Sequence, residues 1–214
     1  MKAVIFDFNG TLFDDHQKHQ QAWNKMAELI RGSKLNDDEL FKHCNGVVNQ
    51  KIIEYLSDKE LSETEIDKYS KMKEAYYRMY CENDKEQLHL VKGAYAYFEF
   101  LKRKGIPFAI ASASIKENID FFKKMFFLGI YFDDDHIIYD DGNYQDKVSM
   151  FKKAAQQLNC DVKDCMIFED SESGIKAAHK AGCENIVVVN TANHHYDQYD
   201  GVVKVIDNFK QVCE

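Results

Sequence analysis

Met1-Lys2-Ala3-Val4-Ile5-Phe6-Asp7-Phe8-Asn9-Gly10-Thr11-Leu12-Phe13-Asp14 opens the chain, and its reading decides the fold. Four apolar residues, Ala3 to Phe6, run directly into the carboxylate of Asp7, and Asn9, Gly10 and Thr11 follow. An apolar run closed by an acid and a glycine reads as a buried strand whose last residue is handed to a turn at the sheet edge. Open α/β sheets bind their ligands at that carboxyl edge. Asp7 is therefore the first candidate for chemistry.

After Gly93 strand-like and helix-like segments alternate. Ala94, Phe98 and Leu101 mark a helix ending near Gly105, and the only proline, Pro107, opens the strand run Phe108 to Ser112. A helix is expected around Ile115 to Met125, a short strand at His136 to Tyr139, and a helical stripe on Val148, Phe151, Ala155 and Leu158. Cys165 to Phe168 reads as a strand ending in Glu169-Asp170, then a short helix on Ile175, Ala178 and Ala181. Ile186 to Val189 is an all-apolar strand and Val202 to Ile206 an edge strand. Such alternation implies parallel strands with helices on both faces.

The stretch between differs in character. It is rich in charge and carries two helical stripes, Ala22, Trp23, Met26, Ala27, Ile30 and Ile66, Tyr69, Met72, Tyr76, Met79. Gly32-Ser33 and Cys44-Asn45-Gly46 separate candidate helices. The reading is an α/β, Rossmann-like parallel-sheet core (residues 1–14 and 91–214) with an inserted α-helical domain at 15–90. The methionine and tyrosine stripes read as core packing, and no lysine there, Lys25 included, is marked as desolvated by its neighbours.

Composition narrows the function classes. At 214 residues with 45% hydrophobic content, the chain can fill a core and is not of disordered type. No apolar run approaches the roughly 18 residues of a membrane span, and no signal-peptide pattern is present. The six cysteines form no C-x-x-C pair and read as buried free thiols of a cytoplasmic protein. A net charge of −8 without a basic stripe argues against nucleic acid as a partner. His194-His195 are adjacent and read as a surface loop; a monomer or small homo-oligomer is expected.

Three more polar positions line up with Asp7: Ser112 and Glu169-Asp170 at strand ends, and Lys147 at a helix start. In a parallel sheet these ends share one edge, so they converge though far apart in sequence. Taken singly, each has a plain structural explanation as a cap, a turn or a solvated charge. Together they suit phosphoryl transfer. Asp7 would be the nucleophile, and three crowded carboxylates call for a hard divalent cation with oxygen ligands, Mg2+ first. Ser112 and the Lys147 ammonium would stabilise the transferring group.

The same residues resemble the four motifs of the haloacid dehalogenase-like (HAD) superfamily. Asp7-x-Asn9-Gly10-Thr11 is similar to its first motif, DxDGT followed by an acid such as Asp14, and Ala111-Ser112-Ala113-Ser114 to the second. Lys147 matches the third-motif lysine, with Lys152 and Lys153 as alternatives because the usual K-P-x-P-D segment is absent. Glu169-Asp170-Ser171 with Gly174 resembles the fourth, and His19-x-x-Ala22-Trp23 resembles the branch with a helical cap, which includes β-phosphoglucomutases and small phosphatases. The resemblance implies Mg2+ held by Asp7, the backbone carbonyl of Asn9, Glu169 and Asp170. It makes Gly10, Thr11, Ser112, Ala113 and His19 contacts for phosphate or substrate. In mutase relatives the histidine matching His19 approaches the site when the cap closes, so it is a candidate proton relay; alternatively His16 and His19 are exposed polar residues.

One letter departs from the motif. The family's second aspartate, here Asn9, protonates the leaving oxygen and then activates the attacking water. An amide does neither, so hydrolysis of unactivated phosphate esters should fall by about 10²–10⁴-fold. The expected function is an Mg2+-dependent phosphatase of a small phosphorylated metabolite, working through an aspartyl-phosphate with weakened acid–base catalysis. The alternatives are a β-phosphoglucomutase-like mutase, a phosphonatase-like enzyme and a non-hydrolytic phosphoryl-binding member. The mutase reading is lowered by Asn49, which stands where those relatives carry a phosphate-binding arginine, with Arg31 and Arg78 as the remaining arginines of the insert. A true dehalogenase is disfavoured by the intact Glu169-Asp170 pair, whose charges need a cation.

Overall fold

The computed structural model describes residues 1–44, 47–191 and 198–212. The Asn45-Gly46 break and the His194-His195 pair lie outside the described residues. In chain order the elements are β1 (Ala3–Phe6), α1 (His16–Arg31), α2 (Asp37–Glu39), a π-helical turn (Leu40–Cys44), α3 (Asn49–Leu56) and α4 (Glu63–Asn83). There follow α5 (Ala94–Lys104), β2 (Phe108–Ile115), α6 (Lys116–Met125), β3 (Ile137–Asp140) and α7 (Lys147–Gln157). The last elements are β4 (Cys165–Glu169), α8 (Glu172–Ala181), β5 (Ile186–Val189) and β6 (Val202–Ile206). They form two compact units, an α/β core of Met1–Asp14 with His89–Glu214 and a helical unit of Asp15–Leu88.

The core sheet is parallel throughout, in the order β3-β2-β1-β4-β5-β6. The chain winds from β1 outward to β3, then starts again at β4 and winds the other way to β6. In a doubly wound sheet the crevice opens where the order reverses, outside the carboxyl ends of β1 and β4. Those ends carry Asp7 and Glu169-Asp170.

β1 and β5 are buried along their whole length and are apolar without alternation, as strands covered on both faces are. Ala3 and Ile5 of β1, Ala109 and Ala111 of β2, and Cys165 and Ile167 of β4 pack with Phe151, Ala154 and Ala178 of α7 and α8. The alternate side chains meet an aromatic layer. Phe6 stacks on Phe168 at 5.1 Å and meets Phe98 of α5 edge-on at 5.4 Å. Burying one such ring is worth about 1.5–3 kcal/mol, which fixes β1 and β4 side by side beneath the crevice. β2 runs to Ile115, beyond the expected end at Ser112, with a register shift between the two against β3. The Ala-Ser-Ala-Ser alternation carries no apolar run, yet its backbone still pairs.

In the helical unit, Trp23, Met26 and Ala27 of α1 pack with Ile52, Ile53 and Leu56 of α3. Gly32 ends α1 at φ 78°, a left-handed cap whose N–H donates to Glu28 O. On α4 the expected stripe holds for Ile66, Tyr69, Met72 and Tyr76, which pack against this cluster, but Met79 is exposed. The most deeply buried α4 positions include two charges, Lys73 at 2% exposure and Glu74 at 6%. Lys18, at 4%, is buried as well and pairs with Asp84, and nothing in the sequence marks either lysine. Apolar periodicity cannot find a buried ion pair.

Lys73 Nζ donates to Glu74 Oε1 and to His19 Nδ1, each at 2.8 Å, and sits 5.2 Å above the Trp23 ring. An ammonium has donors only, so His19 Nδ1 accepts and the ring proton is assigned to Nε2, 3.4 Å from Asp15 Oδ2. His19 also stacks on Tyr77 at 4.2 Å, and the Tyr77 hydroxyl donates to Asp15. It is thus part of a packed network rather than a plain exposed residue. Burial works to raise the Glu74 pKa, but Lys73, His19 and Asn49 outweigh it and hold it at about 2. Because that pKa is depressed, the stabilisation is present above the ordinary value of 4.5 and is lost as pH falls toward 2. Lys73→Met should destabilise the protein by about 3–5 kcal/mol, since it strands a buried carboxylate. Urea unfolding at pH 7 checks this, and adding Glu74→Gln should recover most of the loss.

Candidate active site

β1 delivers Asp7 to the crevice. The Asp7 N–H donates to Phe168 O at 2.9 Å, which extends the β1–β4 pairing by one residue. The chain then folds back on itself: Leu12 and Phe13 N–H both donate to Phe8 O, and Gly10 N–H to Phe13 O at 2.7 Å. Phe8 anchors the turn by stacking on Phe122 at 4.2 Å. Gly10 has φ 77°, and a Cβ there would lie 2.1 Å from Asp170 Oδ2. Only glycine allows the turn and the carboxylate to approach so closely. Thr11 Oγ1 donates to Asp170 Oδ1 at 2.9 Å, and Thr191 Oγ1 to Gly10 O at 2.8 Å.

β4 supplies the other acids. Glu169 is fully buried and Asp170 is 7% exposed. Glu169 Oε2 accepts from the N–H of Asp170 and Ser171 at 2.8 and 2.9 Å and from the Ser171 hydroxyl. The Ser171 side chain also caps α8 by accepting from Gly174 N–H at 3.1 Å. Gly174 makes room for the acid, since a Cβ there would fall 1.8 Å from Glu169 Oε1.

Lys147 is the first residue of α7, behind the Asp146 cap. Its Nζ donates to Asp7 Oδ1 at 2.7 Å and to Glu169 Oε1. This contact selects Lys147 over Lys152 and Lys153 as the lysine beside Asp7. Lys153 lines a separate surface cleft of about 360 Å³ with Lys116, Asp134 and Tyr139, and none of the motif residues reaches that cleft.

Ligand atoms of Asp7, Glu169 and Asp170 all lie within 4.8 Å of one another. Burial, then the charges of Glu169 and Asp170, push the Asp7 pKa well above its usual value, against the pull of Lys147. Burial works against the Lys147 ammonium, but Asp7 and Glu169 prevail and raise its pKa. Three buried acids and one ammonium leave an excess of negative charge, which a divalent cation would offset. The donor set, all oxygen, suits such an ion.

Asn9 stands at the mouth of the turn. Its Oδ1 accepts from Ser112 Oγ at 3.2 Å and from Ser114 Oγ at 2.7 Å, and Ser112 Oγ accepts from Ser114 N–H. Ser112 is fully buried and Ala113 exposed. The sequence marks Ser114 and Ser171 only as motif neighbours and does not mark Thr191. For Ser114 a signal existed, because residues two apart on a strand share a face. Thr191 follows the apolar strand β5 at the same sheet edge, and its contact with the Gly10 carbonyl is what gives it a role. His19, Lys73 and Asn49 belong to the helical unit. There Asn49 Nδ2 donates to Ser70 Oγ and Glu74 Oε1, and Arg31 forms a paired contact with Glu39 at 2.7 and 3.0 Å.

The chain is 35% identical to a HAD hydrolase of family IA, variant 3, from Entamoeba histolytica, whose crystal structure matches with a TM-score of 0.92 over 99% of this chain and 95% of that one. A phosphorylated carbohydrates phosphatase of Thermotoga maritima is 28% identical over 198 residues, covering 90% of this chain and 88% of the relative. The β-phosphoglucomutase of Bacillus subtilis is 27% identical over 190 residues, covering 85% and 80%. The sequence model of the haloacid dehalogenase-like hydrolases matches residues 1–182, a span that holds Asp7, Asn9, Ser112, Lys147, Glu169 and Asp170. The chain belongs to the haloacid dehalogenase-like hydrolase family.

Proposed function

We propose that this hydrolase is an Mg2+-assisted phosphatase of small phosphorylated carbohydrates that takes phosphoryl groups onto Asp7 faster than it releases them. The observation that carries this reading is the Asp7–Lys147–Glu169–Asp170 cluster at the reversal point of the sheet. Asp7, the backbone carbonyl of Asn9, Glu169 and Asp170 would hold the ion. When bound, it offsets negative charge on the phosphoryl oxygens and among the acids.

The remaining work falls to the chain's own side chains. The Asp7 carboxylate attacks phosphorus in line with the leaving oxygen, giving the aspartyl-phosphate. The Lys147 ammonium faces the oxygen of Asp7 and can meet charge developing on the transferring group. Ser112 offers its hydroxyl from a rigid strand. Asn9 carries no proton to give at neutral pH and no basic lone pair to take one, so it can orient a leaving group or a water but not ionise it. His19 has both ring nitrogens engaged, Nδ1 by Lys73 and Nε2 beside Asp15, which does not favour a proton-relay role.

Phosphatase is preferred to mutase on one observation. Asn49 is neutral and hydrogen-bonded to Ser70 and Glu74, and Arg31 is paired with Glu39, so neither position presents an unpaired cation for a second phosphate. Lys73, though buried, is held by Glu74 and His19 at 2.8 Å each, which does not favour the Schiff-base role that a phosphonatase lysine plays.

The test compares 4-nitrophenyl phosphate, whose leaving group needs no proton, with sugar monophosphates. We expect the aryl ester to be turned over with Mg2+ and not after chelation, and sugar esters to be slower by about 10²–10⁴-fold. A protein that binds Mg2+ but turns over neither ester would overturn this reading in favour of a phosphoryl-binding member without turnover.

A further inference from the structure

We propose that Cys160 and Cys165 form a dithiol that hydroperoxides convert to an intrachain disulfide, a modification site at the far end of β4 from the carboxylates. The two sulfurs lie 3.3 Å apart. A disulfide needs about 2.05 Å between sulfurs, so an approach of little more than about 1 Å closes the bond. The chain between them is turned back by a short 3-10 segment, Val162–Asp164. That turn brings the end of the α7 segment onto the first residue of β4.

The two thiols differ in access. Cys160 is half-buried, whereas Cys165 is fully buried in the core between β4 and α7. Burial, and then the contact with Cys160, push the Cys165 thiol well up. Cys160 is therefore the thiol that meets oxidant first, and Cys165 the one that resolves it. Cys183 is the third sulfur nearby, but its Sγ donates to the carbonyl of Cys165 at 3.5 Å rather than to either thiol.

The chemistry balances with hydrogen peroxide as oxidant. The Cys160 sulfur attacks a peroxide oxygen; an S–O bond forms, the O–O bond breaks, and water leaves with the thiol proton. The Cys165 sulfur then attacks the Cys160 sulfenic acid; the S–S bond forms, the S–O bond breaks, and hydroxide leaves as water with the Cys165 proton. Two thiols lose two electrons and one peroxide becomes two waters. β4 extends about 3.3 Å per residue, so the bond would form more than about 10 Å from Glu169. It would tie the base of β4 to the segment leaving α7, the two elements whose other ends hold Glu169 and Lys147.

The experiment treats the native full chain with hydrogen peroxide, alkylates the remaining thiols and maps the digest. Trypsin cuts after Lys153, Lys163 and Lys176, so the bond would join the peptides 154–163 and 164–176. We expect an intact mass about two units lower, the joined peptides, and full reversal by dithiothreitol. In Cys165→Ser, dimedone should trap a sulfenic acid on Cys160 and no joined peptide should form; Cys183→Ser should still form it. The proposal is overturned if peroxide leaves both thiols free, or if Cys160 passes to sulfinic acid while Cys165 is present.

Discussion

Asn9→Asp is expected to raise kcat/KM for a sugar monophosphate by about 10²–10⁴-fold and to leave Mg2+ affinity unchanged. The substitution is nearly isosteric. An aspartate oxygen at this position accepts the hydroxyl bonds that Ser112 and Ser114 now give to Asn9 Oδ1 at 3.2 and 2.7 Å. The turn is set by the backbone of Phe8 to Phe13 and by Gly10, none of which changes. What the carboxyl adds is a proton it can give to the leaving oxygen and then recover from the attacking water. Aryl phosphate should gain less than sugar phosphate, because only its dephosphorylation half needs the new group. Steady-state rates on both esters, with an Mg2+ titration of each protein, check this. Equal rates on the sugar ester would contradict the role assigned to residue 9.

Asp7→Asn should have the largest effect of all, a loss on the order of 10⁴–10⁶-fold in kcat on aryl phosphate, as for removal of other covalent nucleophiles. The amide fills the same buried position and leaves Lys147 bound to Glu169, so the fold should persist, which circular dichroism can verify. Adding Asn9→Asp to this variant should restore nothing, because an acid and base cannot act without the group that accepts the phosphoryl. Residual activity within tenfold of the unmodified chain would point to a different nucleophile.

The core was legible because its signals are local. Ile186 to Val189 is an unbroken apolar run and is a strand over those same residues. Ala94, Phe98 and Leu101 recur at helical spacing and Gly105 closes the helix in the left-handed conformation. The strand order was not fixed by any of these, since it depends on packing among distant segments; parallel alternation only limits it. In the site, Asp7, Lys147 and Glu169 were visible as polar residues at element ends, and the sheet brings them into contact. The network of Lys73, Glu74, His19 and Asp15 was invisible for the opposite reason. Each residue looks like a solvated charge on a helix, and only the tertiary fold shows that Trp23 and Tyr77 cover the ammonium. Thr191 falls between these cases, a single hydroxyl whose role appears only when the Gly10 carbonyl is placed beside it.

The central claim is that Asp7 accepts a phosphoryl group which Asn9 cannot help to remove. Rapid mixing of the unmodified protein with 4-nitrophenyl phosphate and Mg2+ tests it most directly. We expect a burst of nitrophenol approaching one equivalent per chain, absent in Asp7→Asn, followed by slow turnover. Release that is linear from the first time point, with no phosphate retained on the acid-quenched protein, would contradict it.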